Sequence, residues 1–113
     1  MPTTVYVRSP FTVTLRCIDG GGGSIEAYLE IRTSVDNASL DSNVFTGAAT
    51  DDGDFDVFEG PKSIGADAGV APGIEHVGFA AVSPSGQLLQ GYGYVGSKLN
   101  GAGNCVAQLT FLG

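Results

Sequence analysis

Four aspartates, Asp51, Asp52, Asp54 and Asp56, crowd into six residues and form the sharpest charged cluster of the chain. Carboxylate oxygens are the ligands that hard cations prefer, so the spacing invites a calcium site. The helix–loop–helix version fails on its own geometry. With Asp52, Asp54 and Asp56 at loop positions one, three and five, Val57 stands where glycine is required and Ser63 where a bidentate glutamate is required. What remains is a looser oxygen site in a sandwich loop, with these four as candidate ligands, against a plain solvated acidic loop. No other cofactor is expected.

Catalytic chemistry lacks its residues. The single histidine, His76, stands beside Glu75 at the start of an expected strand and reads as a surface side chain. There is no Gly-x-Ser-x-Gly elbow, no phosphate-loop Gly-Lys-Ser/Thr and no His-Glu-x-x-His pair. One histidine and two distant cysteines do not make a zinc set. The run Gly20–Gly23 precedes a strand, whereas an anion cradle needs the start of a helix, so it reads as a hairpin tip. No catalytic residue is expected, and the chain reads as non-enzymatic.

Tyrosines offer a binding surface instead. Tyr92 and Tyr94 share one face of a strand with Leu88 and Gln90, while Leu89, Gly91, Gly93 and Val95 face the other way. The default expectation puts the rings in the core with their hydroxyls at its rim. If the glycine face lies against another sheet or chain, the rings become an exposed ladder able to stack on a sugar or a protein. Tyr28, among Glu26, Glu30 and Arg32, is expected to face solvent. Asn37-Ala38-Ser39 matches the N-glycosylation triplet, which matters only on a eukaryotic secretory route.

These groups need a β scaffold. Ile25, Ala27, Leu29 and Ile31 alternate with Glu26, Tyr28, Glu30 and Arg32, the period of a half-buried strand. Phe11, Val13, Leu15 and Cys17 alternate with Thr12, Thr14 and Arg16 in the same way. Val5 and Val7 oppose Thr4, Tyr6 and Arg8, and Ser9-Pro10 turns the first strand toward the second. Short strands are expected near Val44–Ala48, Phe55–Phe58, Val77–Val82, Leu88–Val95 and Cys105–Leu112. Ser34–Ser42, Asp51–Asp54, Gly60–Gly73 and Gly96–Gly103 read as loops. With 18 glycines clustered between apolar stretches and no amphipathic helical stripe, the expected class is all-β. A single antiparallel β-sandwich spanning residues 1–113, immunoglobulin-like or jelly-roll-like, or a small barrel of seven or eight short strands, fits this layout. The strand-three tryptophan of immunoglobulin domains is missing and the cysteine spacing is far longer than theirs, so no family's residues carry over.

Cys17 and Cys105 both fall in the inward phase of their strands and are expected to meet as a disulfide, the alternative being two buried thiols. A bridge implies an oxidising compartment or a particle surface. Met1-Pro2-Thr3-Thr4 carries neither the basic region nor the apolar core of a secretion signal, so a signal is expected to have been removed or maturation to follow synthesis in a cytoplasm. The net charge of −7 opposes nucleic acid and anionic membranes, and no apolar run is long enough to insert. Two functions fit. The first is a self-associating structural subunit, such as a virion decoration, tail or surface-filament protein, located outside the cell or on a particle surface. The second is a carbohydrate- or protein-binding module using loop carboxylates with Tyr28, Tyr92 and Tyr94.

Overall fold

The computed structural model describes residues 2–42, 50–97 and 104–112, with the side chains of Pro2, Thr50 and Asp51 left aside. Nine strands lie in this part of the chain: β1 (Pro2–Arg8), β2 (Phe11–Gly21), β3 (Ser24–Thr33), β4 (Ala38–Ser42), β5 (Thr50–Phe55), β6 (Lys62–Gly69), β7 (Gly73–Val82), β8 (Leu88–Ser97) and β9 (Cys105–Leu112). One sheet runs β1-β2-β3-β6 and the other β5-β4-β7-β8-β9, and every pairing is antiparallel. The two layers pack as a small β-sandwich.

Alternation drives the arrangement. Ile25, Ala27, Leu29 and Ile31 are all buried, as are Phe11 and Val13 on β2. Phe11, Val13, Ala27, Leu29 and Ile31 meet Ile64 from β6 and Leu40, Phe55, Val77, Phe79, Leu89 and Val95 from across the sandwich in one core. Each fully buried side chain of this size contributes about 1.5–3 kcal/mol of hydrophobic stabilisation, which outweighs the ordering of its short strand only when both layers are present.

Several expectations about element boundaries give way to tertiary pairing. Ser34–Ser42 contains β4, because Ala38 and Leu40 are buried between β5 and β7 despite polar neighbours. Asp51–Asp54 lies in β5, paired with β4, and the expected strand Phe55–Phe58 is cut short by a 3-10 turn at Val57–Glu59. Gly60–Gly73 is not one irregular loop: Lys62–Gly69 pairs with β3, and Ile64 supplies the apolar anchor. The Gly20–Gly23 tip extends β2 as far as Gly21. The expected strand Val44–Ala48 and most of the Gly96–Gly103 loop lie outside the described residues.

A bulge changes the phase of the first strand. The β1–β2 register shifts between Thr4 and Tyr6. In consequence Tyr6 packs against the core, stacked on Phe111 at 4.2 Å between ring centroids, while Val7 is 59% exposed. An extra residue in one strand reverses the facing of all that follow, which simple alternation does not reveal.

Candidate functional site

The glycine face of β8 is the buried one. A side chain at Gly91 would stand 2.6 Å from Phe79 and 3.1 Å from Phe111, and one at Gly93 would collide with the carbonyl oxygen of Gln108. Strand β9 therefore closes tightly on β8, and the alternate residues are turned outward. Tyr92 is 55% exposed and Tyr94 43%, which overturns the expectation that they are core rings. The physical reason is volume: the space between the sheets is already filled by Phe79 and Phe111, themselves in edge contact at 6.4 Å.

Cross-strand register completes the surface. His76 and Gly78 of β7 lie opposite Tyr94 and Tyr92, and Gln108 and Thr110 of β9 lie opposite the same tyrosines on the other side. His76 is exposed as expected and meets Tyr94 edge-on, 4.5 Å between centroids. Gly78 leaves the ground beside Tyr92 bare. The result is a shallow groove of about 460 Å³ lined by His76, Val77, Tyr92, Gly93, Tyr94, Gln108 and Thr110. Aromatic faces flanked by an amide, a hydroxyl and an imidazole suit an uncharged partner.

The other candidates lie elsewhere. Tyr28 sits on the four-stranded sheet, so it shares no surface with Tyr92 and Tyr94. It is half-buried, more enclosed than its charged neighbours suggest: its hydroxyl donates to Glu26 and the Arg16 guanidinium lies 4.6 Å over its ring. That hydrogen bond to Glu26 is the main reason its phenol is raised above the usual tyrosine range. Arg16 also donates to both carboxylate oxygens of Glu30 at 3.1 and 3.0 Å. Glu30, placed by alternation among the wet residues, is only 7% exposed. A bidentate arginine makes that burial tolerable, a signal that only the register Arg16 opposite Tyr28 and Thr14 opposite Glu30 exposes.

The aspartates face several tasks at once. The Asp52 carboxylate accepts from the Asp54 amide at 2.9 Å and pairs with Lys62 at 3.4 Å; it is lowered, chiefly by that amide. Asp54 is raised, first by its hydrogen bond with the Asp56 carboxyl and then by that group's charge. Asp56 accepts from the Asn37 amide at 2.8 Å. Among the described residues, no three histidine, cysteine, aspartate or glutamate side chains converge as a metal set. Asp51 belongs to the same strand by its backbone, paired with Asp41. Strand β5 lies three places from β8, about 14 Å at ordinary strand spacing, so the Asp52 and Asp54 carboxylates do not join the tyrosine groove.

Cys17 of β2 and Cys105 of β9 form a disulfide, with Cα atoms 5.7 Å apart. Both are half-buried at the margin of the sandwich. No helix among the described residues is long and apolar enough to cross a membrane. No family model, curated protein or solved structure matches the chain.

Proposed function

We propose that this chain is a non-enzymatic structural domain that works by contact with copies of itself, as a subunit of a virion surface, a tail or a surface filament, outside a reducing cell interior. The observation that carries this is a neutral face on an acidic molecule. On the outward side of β7, β8 and β9, from Ile74 to Val82, Leu88 to Tyr94 and Val106 to Leu112, no Asp, Glu, Lys or Arg side chain occurs. Copies carrying −7 each repel one another, and an uncharged face is where they approach at least cost. Ile74 (54%), Tyr92 and Leu112 (51%) stand exposed there. The cross-sheet disulfide is consistent with a protein that persists in an oxidising setting. Light scattering on a size-exclusion column tests this: concentration-dependent oligomers are expected, and a strict monomer at millimolar concentration overturns it.

The groove formed by Tyr92, Tyr94 and His76 favours a second reading, capture of a neutral carbohydrate, in which the loop carboxylates take no part. Binding on a glycan array that disappears in Tyr92→Ala would support it, and a flat array counts against it.

A further inference from the structure

Among the described residues the sandwich has four edge strands, and three of them carry features that discourage pairing with another chain. β1 begins with Pro2, is bulged between Thr4 and Tyr6, and ends in Arg8. β5 carries Asp51, Asp52 and Asp54 in six residues. β6 carries Lys62 and Asp67, and its pairing with β3 shifts register between Leu29 and Glu30. Charges, proline and bulges are the usual protections of an open sheet edge.

β9 has none of them. Its eight residues, Cys-Val-Ala-Gln-Leu-Thr-Phe-Leu, contain no charge, no proline and no glycine. It pairs with β8 over eight successive positions without a register shift. Among the described residues its sheet ends there. Alternate residues of such a strand direct their backbone N–H and C=O groups away from β8, as a template for one more strand.

We infer that β9 is the self-association edge, and that it pairs antiparallel with β9 of a second copy across a two-fold axis to make one continuous ten-stranded sheet. This rests on the assembly reading above and names the strand that carries it. A two-fold axis perpendicular to the sheet keeps outward faces outward, so it must fall midway between one residue and its own symmetry mate, not between two different residues. Centred on Leu109, it sets Gln108 opposite Thr110 of the partner subunit and Val106 opposite Leu112 of the partner subunit on the outer face. Val106 and Leu112, 38% and 51% exposed in the single chain, then cover each other at both ends of the seam. The inner face brings Leu109 beside its own symmetry mate. β9 itself brings no charged side chain to the seam, so pairing two copies of it sets no like charges of the strand against each other.

The test uses outward side chains, which leave the core alone. Gln108→Lys/Thr110→Lys places two lysine pairs face to face across the seam, and about a tenfold or greater weakening of self-association is expected at unchanged circular dichroism. Gln108→Glu/Thr110→Glu is expected to weaken it likewise. An equimolar mixture of the two variants is expected to restore association, since opposite charges then meet. Ser39→Lys, on the outer face of β4, is expected to change nothing. If the wild type associates and the lysine variant associates equally well, or if the mixture fails to restore what each variant lost, β9 is not the edge, though the assembly reading stands. A wild type that stays monomeric at millimolar concentration overturns both.

Discussion

Cys17 and Cys105 join the two sheets, β2 in one layer to β9 in the other, at a sequence separation of 88. Among the described residues no backbone ladder links these layers, so there the bridge and the packed core hold the second strand to the last. In the chain-entropy account a loop of that length contributes about 4.5 kcal/mol by restricting the unfolded chain. Reduction is therefore expected to lower Tm by about 20 °C, since each kcal/mol shifts a domain of this size by roughly 5 °C. Thermal melts with and without reductant, with intact mass confirming the bridge, check it; coincident melts would show that the core alone suffices.

Gly93→Ala is expected to destabilise the domain by about 3 kcal/mol. Its φ of 155° and the approach of Leu109 Cα, 2.9 Å from an added methyl group, leave room only for hydrogen. Urea unfolding measures the loss. A cost below about 0.5 kcal/mol would mean that β9 can move off β8 freely.

Arg16→Ala leaves the Glu30 carboxylate largely enclosed without its two donors. A loss of about 2 kcal/mol is expected, moderated because Arg16 is itself partly in solvent. Glu30→Gln should cost less, since a neutral amide is easier to bury. A double-mutant cycle with both changes gives the coupling, and additive effects would show that the pair is only a surface contact.

Tyr92→Ala and Tyr94→Ala are expected to leave Tm nearly unchanged, because both rings stand outside the core. Each should reduce any carbohydrate binding at the groove they line. A fall in Tm of more than about 5 °C in either variant would place the ring in the packing after all.

Asp54→Asn is expected to raise Tm slightly at pH 7 and to have no such effect in acid. The raised Asp54 carboxyl favours its protonated form in the fold, so its contribution is present below the ordinary aspartate pKa and is lost as pH rises through the raised value. Asp52 runs the other way: being lowered, it stabilises above the ordinary pKa and loses that contribution as pH falls through the lowered value. Melting curves across pH 3 to 7 separate the two, and a lower Tm for Asp54→Asn at neutral pH would contradict the sign.

Alternation at period two was enough to establish the β class, the faces of β2 and β3 and the inward phase of both cysteines, because facing follows from local backbone geometry. The Ser9-Pro10 turn left a hairpin or an edge corner for β1 and β2, and the structure pairs them antiparallel. Alternation did not reveal β4 or β6, whose short polar segments become strands only because β7 and β3 offer them a ladder. It could not foresee the Tyr6 bulge, since one inserted residue is invisible without its partner strand. Burial of Glu30 likewise depends on an arginine fourteen positions away in sequence. The tyrosines show the division most plainly. That Tyr92 and Tyr94 share a face opposite Gly91 and Gly93 is a property of the sequence; which face is wet was decided by Phe79 and Phe111 filling the space between the sheets. The volume of a core is a sum over residues far apart in the chain, and only the folded arrangement performs that sum.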